Sequence, residues 1–488
     1  MKPVKTLAFV LSVFFILAVI MMVFPENGIK IIDNFSIKFP NIKNFFFAEK
    51  KNYADISDAI KKGSVNIDSL SLFLDTDTIN ADTIRVSVDS LKGVIHKLEF
   101  QNENRSSLDA FFGYLKTKPE ILHIMHFGDS QIEGDRISGV LRNRLQSRFG
   151  GYGVGTMAAI GVINVSGPIA QSGSDNWKRY TVFGKRDTSL KHTQYGALGI
   201  FARFAPLWND SIPNDSILYE AELTFETSSV GYASDKKFDN VRIFYGNNHK
   251  PILAELYIDE EMKQFETMMS TATISSVKFN FEETPKKFTL KFSGKDSPDI
   301  YGVSFESKNG IFVDNIPMRG SSGLDFTRMS MSFQKQMFDL LNTKLIICEF
   351  GVNLVPNIVD DYTFYENWFY EQLRSLKKVN PELSIIVIGV SDMSLKKDDY
   401  YESYPNIEKI RNAQKKAAFR ADCAFWDFYE AMGGNNSMPS WVFAKPSLAT
   451  QDFTHLNYKG ARIIGDMFSN ALIWEYNEFL KKKSKEIL

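Results

Sequence analysis

The chain has 488 residues, with 57 Lys and Arg against 58 Asp and Glu, and a formal net charge of −1. This balance argues against a nucleic-acid-binding protein, which needs a basic surface. A hydrophobic content of 44% is ordinary for a globular chain, and two cysteines in so long a chain exclude a disulfide scaffold.

The first predicted element is an apolar segment at the N-terminus. Lys2 and Lys5 precede an uncharged apolar run at residues 7–24, which is just long enough to cross a hydrocarbon core about 30 Å thick. The run could also be the apolar region of a signal peptide, but no small-x-small cleavage site follows it. We expect residues 1–25 to be an uncleaved anchor and the rest of the chain to lie outside the cytoplasm, in a bacterial cell envelope.

Residues 26–100 carry the weakest pattern. The part up to about residue 62 is rich in Lys, Asn and Phe and predicts a tether. Short apolar alternations at residues 65–95 fit either strands or a polar linker. Residues 102–118 predict an amphipathic helix leading into the first core strand.

A candidate nucleophile follows that strand. The run ILHIMHF at residues 121–127 predicts a buried parallel strand, and it ends in Gly128-Asp129-Ser130. A turn from strand to helix there places Ser130 at the carboxyl end of a sheet strand, where open α/β sheets bind ligands. The N-terminus of the next helix offers backbone N–H groups to a developing negative charge.

The long interval between Ser130 and Gly320 predicts an inserted domain. Polar turns there separate strand-like runs at residues 216–227, 240–247, 254–259, 276–282 and 286–293. This spacing predicts an all-β sandwich at residues 176–299. Five aromatic residues in it are candidates for stacking on sugar rings, although core packing is the more common role for any one of them: Trp177, Tyr195, Trp208, Tyr232 and Tyr245. The glycine-rich tract at residues 150–155 lacks the setting of a dinucleotide site and predicts a loop.

Two later strands end in candidate oxyanion-binding groups. GIFVDNI at residues 310–316 leads to Gly320, whose backbone N–H is a potential donor. LIICEF at residues 345–350 leads to Asn353, whose side-chain amide is another. Taken singly, each fits an ordinary turn equally well.

A candidate base lies near the C-terminus. Asp452 and His455 are three residues apart, so the carboxylate can orient the imidazole through Nδ1 while Nε2 faces outward. Serine is a poor nucleophile and needs such a base. In isolation, this pair also fits a capping aspartate and a packed histidine.

The remaining pattern alternates helices with apolar strands. Residues 359–379 and 406–421 predict helices, and residues 383–390 and 424–429 predict strands. The loop at residues 391–404 should therefore overhang the site. Such alternation predicts a parallel sheet with helices on both faces. Cys348 and Cys423 fall by strands that are not expected to be neighbours, which predicts two free, buried thiols.

Ser130, Gly320, Asn353 and His455, in this order and each on a strand-end loop, resemble the SGNH (GDSL-type) hydrolase superfamily. The matching blocks are GDSQ, NIPMRGSSG, FGVN and DFTH. The resemblance implies a flavodoxin-like three-layer α/β/α domain at residues 101–175 and 300–488.

The resemblance also implies the roles of the site residues. Ser130 would be the nucleophile, His455 the general base and Asp452 its orienter. The oxyanion hole would consist of the Ser130 and Gly320 N–H groups and the Asn353 amide. Neither a metal-ligand spacing nor a phosphate loop is found in the sequence, so we expect no metal and no cofactor.

Two positions depart from the family pattern. Gln131 stands where leucine is common after the serine, a change expected to matter little. Leu354 follows Asn353 where the family often has Asp or Glu, which puts the usual support of that loop in doubt. The inserted β-sandwich resembles the carbohydrate-binding-like domain of bacterial peptidoglycan O-acetylesterases.

The sequence therefore predicts an extracytoplasmic serine esterase acting on an acylated glycan, with acetyl as the expected acyl group. An alternative uses the same residues as a membrane-anchored O-acetyltransferase, working with a membrane-bound acyltransferase partner. A third possibility is a non-catalytic glycan-binding protein on the same fold.

Overall fold

The structure is a computed structural model that describes residues 3–25, 29–32, 35–37, 39, 53–65, 95–117, 120–161, 167–209 and 217–487. The chain divides into two compact units, Met1–Tyr53 and Ala54–Leu488. Residues 66–94 of the alternations predicted at residues 65–95, and residues 40–52 of the predicted tether, lie outside the described residues.

The first unit contains one long helix, α1 (Pro3–Val23), and two short antiparallel strands, β1 (Ile29–Ile32) and β2 (Phe35–Ile37). The 21 residues of α1 have a mean hydropathy of 2.9 over their most apolar stretch, and none of them is buried. By length and composition this helix can cross a membrane, and a signal sequence has the same properties. The predicted apolar N-terminal helix is thus present.

The second unit carries the remaining helices and strands. Its helices are α2 (Ser57–Gly63), α3 (Asp109–Thr117), α4 (Ser138–Phe149), α5 (Met331–Leu340), α6 (Thr363–Val379), α7 (Ile407–Arg420), α8 (Phe428–Met432), α9 (Ser437–Phe443) and α10 (Tyr458–Ile487). Its strands are β3 (Ile121–Gly128), β4 (Gly155–Met157), β5 (Ile169–Gly173), β6 (Lys178–Thr181), β7 (Ile200–Arg203), β8 (Tyr219–Thr227), β9 (Asn240–Gly246), β10 (Ile252–Ile258), β11 (Glu261–Met268), β12 (Ser275–Asn280), β13 (Lys287–Gly294), β14 (Asp299–Glu306), β15 (Gly310–Pro317), β16 (Thr343–Glu349), β17 (Ser384–Ile388), β18 (Ser394–Lys397), β19 (Tyr400–Ser403) and β20 (Ala424–Trp426).

Five of these strands form the predicted parallel sheet, in the order β15-β3-β16-β17-β20. Numbered by their place in the chain, they follow the flavodoxin-like order 2-1-3-4-5. Gly128, at the end of β3, pairs with Pro317 on one side and Glu349 on the other. The loops that follow these three strands therefore leave the same edge of the sheet side by side.

Helices cover both faces of this sheet, because its strands are apolar on both sides. In β16, Leu345 and Ile347 join the core formed with α3, α4 and α10, whereas Ile346 and Cys348 join the core formed with α5, α6 and α7. The three-layer prediction is confirmed. Cys348 and Cys423 are free and buried as predicted, since β17 separates β16 from β20.

The inserted β domain is also present. One antiparallel sheet has the order β11-β10-β13-β8-β5 and the other β12-β9-β14-β7-β6, with β4 paired to β14. Their inner faces enclose an apolar core that includes Leu223, Ile243 and Phe305. Strands β4 and β5 precede residue 176 and β14 ends at Glu306, so the sheet pairing extends beyond residues 176–299 on both sides.

The glycine-rich tract forms a loop after α4 that packs closely against the end of β14. Gly153 has a φ of +102°, and a Cβ there would lie 2.4 Å from the carbonyl oxygen of Phe305. A side chain at this position would therefore be excluded both by its backbone conformation and by space.

The predicted helix at residues 102–118 is shorter in the structure. Residues Gln101–Glu103 and Arg105–Leu108 form 3₁₀ turns, and the α-helix begins at Asp109. The Asn104 side chain accepts a hydrogen bond from the Ser106 N–H at 3.2 Å, a local bond that competes with helix formation.

Candidate active site

The candidate nucleophile follows a tight turn at the end of β3. A Cβ on Gly128 would lie 2.8 Å from the carbonyl oxygen of Glu349, so only glycine fits where β3 and β16 end together. Ser130 then opens a 3₁₀ turn, Ser130–Asp135, and α4 starts only at Ser138. The α-helix expected directly after the serine is therefore displaced by this turn, which puts Glu133 and Gly134 in non-helical conformations.

Ser130, His455 and Asp452 form a hydrogen-bonded chain. Ser130 Oγ lies 2.7 Å from His455 Nε2, and His455 Nδ1 lies 2.7 Å from Asp452 Oδ2. This is the arrangement in which an imidazole accepts the proton of a serine while a carboxylate fixes its orientation. The structure thus brings together the three predicted catalytic residues.

Asp452 is held as a carboxylate by the loop it occupies. Its Oδ1 accepts hydrogen bonds from the backbone N–H groups of Thr454 and His455, at 2.9 and 3.0 Å, and from Thr450 Oγ1 at 2.6 Å. Partial burial opposes ionisation, but these donors and the His455 ring keep the pKa of Asp452 below its usual range. The loop needs a positive φ of 55° at Phe453 to bring both N–H groups to one oxygen.

The two predicted oxyanion groups lie on the loops that flank the serine loop, which is residues 129–137 between β3 and α4. Gly320 follows β15, has a φ of +81° and is exposed, and no atom lies within 4 Å of the position of a Cβ there. Its N–H makes no hydrogen bond within the described part of the chain. Asn353 follows β16, and its Nδ2 donates to the carbonyl oxygen of Ser321 at 2.9 Å. The asparagine amide therefore ties its own loop to the glycine loop.

Asp129 is a structural residue of the site that we did not single out in the sequence. Its buried carboxylate accepts from the N–H of Gln131 at 3.0 Å, and from those of Gly351 and Val352 at 3.0 and 3.2 Å. Burial raises its pKa to about 7, while the amide donors act in the opposite direction. The sequence signal that could have identified Asp129 is an acidic residue directly after the buried strand β3.

A buried polar chain supports the serine loop from below. His126 Nε2 lies 3.1 Å from Glu349 Oε2, and its Nδ1 lies 2.9 Å from Ser138 Oγ. Asn315 Nδ2 donates to Ser138 Oγ at 2.7 Å and to the carbonyl oxygen of Ile132 at 3.0 Å. Adjacent strands and the start of α4 are thereby linked next to the loop that carries Ser130.

A cavity of about 360 Å³ lies beside the serine loop, between the sheet edge and the β domain. Glu133 and Arg319 contribute charged groups to it and form an ion pair at 3.2 Å. Most of its remaining wall is apolar and comes from the β domain, for example Met157, Phe183 and Leu198. Glu133 belongs to the turn that starts at Ser130, and Arg319 precedes Gly320, so the cavity adjoins the site.

Of the five aromatic residues predicted as sugar-stacking candidates, Trp208 lines an open cleft of about 440 Å³ in the β domain. Its ring stacks on that of His249, with centroids 4.7 Å apart. Tyr195 and Tyr245 are buried in the core and Tyr232 is partly buried. The ring of Trp177 packs edge-on against two phenylalanines.

The predicted overhanging loop at residues 391–404 contains a hairpin, β18–β19. The hairpin packs on the base loop, residues 449–456, which carries Asp452 and His455. Ser394 N donates to the carbonyl oxygen of Phe453 at 3.0 Å, and the ring of Tyr401 stacks on that of Phe453. Among the residues that the structure describes, no group of three His, Cys, Asp or Glu is arranged to hold a metal ion.

No family model matches this sequence, and no curated protein matches it. Among solved structures, a peptidoglycan O-acetylesterase aligns over 77% of this chain and 98% of its own, with 18% identity and a TM-score of 0.58. Two other esterases align less well. An acetyl xylan esterase aligns over 33% of this chain and 81% of its own (19% identity, TM-score 0.26), and a family two carbohydrate esterase from Cellvibrio japonicus over 63% and 99% (8% identity, TM-score 0.24). The first alignment shows that this chain shares its fold with that esterase.

Proposed function

We propose that this protein is a serine esterase that removes O-acetyl groups from a cell-envelope polysaccharide. The observation that carries the proposal is the chain of two 2.7 Å contacts from Ser130 through His455 to Asp452, at the carboxyl edge of the parallel sheet. A packed surface histidine would not need an oriented serine on one ring nitrogen and a carboxylate on the other.

The chemistry follows from this geometry. Ser130 Oγ attacks the ester carbonyl carbon and gives its proton to His455 Nε2, while Asp452 stabilises the imidazolium. The carbonyl oxygen becomes an oxyanion and is stabilised by the N–H groups of Ser130 and Gly320 and by the amide of Asn353. The tetrahedral intermediate collapses to an acetyl-serine, and the sugar oxygen leaves with the proton from His455. Water, deprotonated by His455, then attacks the acetyl-serine and releases acetate.

The β domain supports a carbohydrate as the ester carrier. The Trp208–His249 pair lines a cleft whose other walls carry polar side chains, including Gln194, Asn247 and Thr271. An aromatic face beside amide and hydroxyl groups suits the apolar face and the hydroxyl rim of a sugar ring. The fold shared with a peptidoglycan O-acetylesterase makes peptidoglycan the first polymer to test.

The apolar helix α1 supports a location at the cell envelope, and we propose that the esterase domain lies on the extracytoplasmic side. The same helix favours a second candidate function, in which the acetyl group passes from Ser130 to a sugar hydroxyl rather than to water. An anchored O-acetyltransferase would receive its acetyl group from a membrane-bound partner.

Acetate release by the full chain, purified in detergent, tests the proposal. O-acetylated peptidoglycan and acetylated xylan are compared for the wild type and Ser130→Ala, with and without a sugar acceptor. Acetate released into water only when Ser130 is present supports the esterase, and the preferred polymer identifies its substrate. Transfer to the acceptor with little release supports the transferase. Glycan binding without any Ser130-dependent turnover contradicts both and leaves a binding protein.

A further inference from the structure

Gln131, the residue after the candidate nucleophile, bonds to both peptide groups that flank His455. Gln131 is 2% exposed. Gln131 Oε1 accepts from the N–H of Leu456 at 3.0 Å, and Nε2 donates to the carbonyl oxygen of Thr454 at 3.1 Å. The planar amide of Gln131, the residue next to Ser130, therefore fixes the backbone on both sides of His455.

Arg136 makes a second link between the same two loops. Its Nη2 donates to the carbonyl oxygen of Ser130 at 2.5 Å and its Nη1 to that of Leu456 at 2.8 Å. Nε donates to the carbonyl oxygen of Glu133 at 2.7 Å, so each of the three guanidinium nitrogens makes a hydrogen bond. The rigid guanidinium group of Arg136 thus holds the backbone carbonyls of Ser130 and Leu456.

The base loop is closed by a β-bridge between Ala449 and Leu456, and the bonds from Gln131 and Arg136 connect it to the serine loop. Phe453 has a positive φ, and the carbonyl oxygen of His455 is bonded within the loop, by Thr450. A leucine at position 131 could not bond to either peptide group beside His455. The expectation that Gln131 matters little is therefore at odds with its contacts.

We propose that Gln131 and Arg136 are positioning residues that set the distance and angle between Ser130 Oγ and His455 Nε2. They act through the backbone of His455 and do not touch the substrate. This inference rests on the proposed function only in assuming that Ser130 is activated by His455. A displacement of about 1 Å at a reacting pair costs roughly 100-fold in rate. Loss of the bonds from Gln131 or from Arg136 should therefore slow the attack by Ser130.

The test measures how fast a small fluorophosphonate labels Ser130 in the full chain. Ser130 Oγ attacks phosphorus, fluoride leaves, and the serine proton passes to His455 Nε2, so the rate reports activation without any glycan. Gln131→Leu and Arg136→Met should each lower the rate roughly 10- to 100-fold. Gln372→Leu is the matched control, because Gln372 is a buried amide with both bonds to Thr327, at 2.9 and 3.1 Å. Equal losses in Gln131→Leu and Gln372→Leu would overturn the proposal.

A double-mutant cycle separates positioning from general stabilisation. In a His455→Ala background the base is absent, so Gln131→Leu should cost less than about twofold in the residual labelling rate. A penalty that persists undiminished without His455 would show that Gln131 acts on the fold or the reagent, and would overturn the proposal.

Gln131→Glu gives a pH-dependent readout that a purely structural role would not produce. A protonated glutamic acid can donate to the Thr454 carbonyl and accept from the Leu456 N–H, whereas the ionised form can only accept. The labelling rate of Gln131→Glu relative to wild type should therefore rise as the pH falls from 8 to 5, while that of Gln131→Leu stays flat. Parallel curves for both variants would contradict the proposal. If wild type is labelled at Ser130 but deacetylates no glycan, the proposed function fails and this inference is still tested.

Discussion

The carboxylate of Asp129 accepts a hydrogen bond from the backbone N–H of Gly351, with 3.0 Å between Oδ2 and the nitrogen. A second bond, from the Val352 N–H at 3.2 Å, reaches the same oxygen. The residue before the proposed nucleophile thereby holds the loop that carries Asn353. Asp129 supports this loop from the neighbouring strand, in a chain that has Leu354 where the family often has an acidic residue.

Replacing Asp129 by Asn should slow the reaction without preventing folding. The new amide nitrogen would face backbone N–H donors, so at least one of the three donors loses its acceptor and the Asn353 loop shifts. We expect kcat on a small acetyl ester to fall roughly 10- to 100-fold. Asp427→Asn is the control, since Asp427 is also a buried carboxylate, which caps α8 and pairs with Arg411. Unchanged kcat in Asp129→Asn would refute the coupling of the two loops.

Asn353→Ala should remove one proposed oxyanion donor and the hydrogen bond to the Ser321 carbonyl that joins two loops. Loss of such a donor costs roughly 100- to 1000-fold in kcat, with little change in KM, because the donor acts mainly on the transition state. Steady-state kinetics on a small acetyl ester measure both constants. Asn380→Ala serves as comparison, because Asn380 closes a turn by accepting from the Glu382 N–H at 3.0 Å. Equal, small effects in the two variants would mean that Asn353 is only a turn residue.

Trp208→Ala should weaken polymer binding and leave the esterase chemistry intact. The stacked ring provides an apolar face in the β-domain cleft, and its loss should lower affinity for the preferred polysaccharide about tenfold. Pull-down on insoluble glycan measures binding, and turnover of a small acetyl ester serves as the internal reference. Trp368→Ala removes an exposed tryptophan elsewhere, on α6. Binding that falls equally in both variants, or in neither, would exclude the cleft as a glycan site.

Glu475→Gln should stabilise the protein at alkaline but not at acidic pH. Burial raises the pKa of Glu475 to about 7 from its ordinary 4.5, although Arg105 lies 3.2 Å away. The unfolded chain ionises this group above its ordinary pKa and the folded protein only near 7, so folding loses stability as the pH rises through this window.

Glu475→Gln removes this loss of stability. Its free energy of unfolding should exceed that of wild type by up to about 3 kcal/mol at pH 8 and equal it near pH 4.5. Thermal unfolding at the two pH values measures the difference. Glu478→Gln, on the same helix, should show no such pH-dependent gain. A gain of equal size at both pH values would contradict the assignment of a buried charge to Glu475.

The sequence predicts most of the hydrolase fold because its signals are local. Strand-end loops on adjacent parallel strands meet at one edge, which placed Ser130, Gly320 and Asn353 on neighbouring loops, and the three-residue spacing joined Asp452 to His455. Strands such as β8 and β13 alternate clearly between apolar and polar residues, and this alternation predicts the β domain.

Other features depend on pairings that local patterns do not encode. Strands β4 and β5 have three and five residues among glycines, and their partners, β14 and β8, lie far along the chain. The bond between Gln131 and Leu456 joins residues 325 positions apart. Its importance follows from the packing of the base loop on the serine loop, which no spacing in the sequence reveals.

The most direct test of the central claim is to trap the acetyl-enzyme. The full chain is mixed with a chromogenic acetyl ester, quenched in acid during the burst, and mapped by peptide mass spectrometry. We predict one acetyl group on the peptide that contains Ser130, absent from Ser130→Ala and accumulating far more slowly in His455→Ala and Asp452→Asn. Acetate release that continues in Ser130→Ala, or an acetyl group on any other residue, would contradict the account.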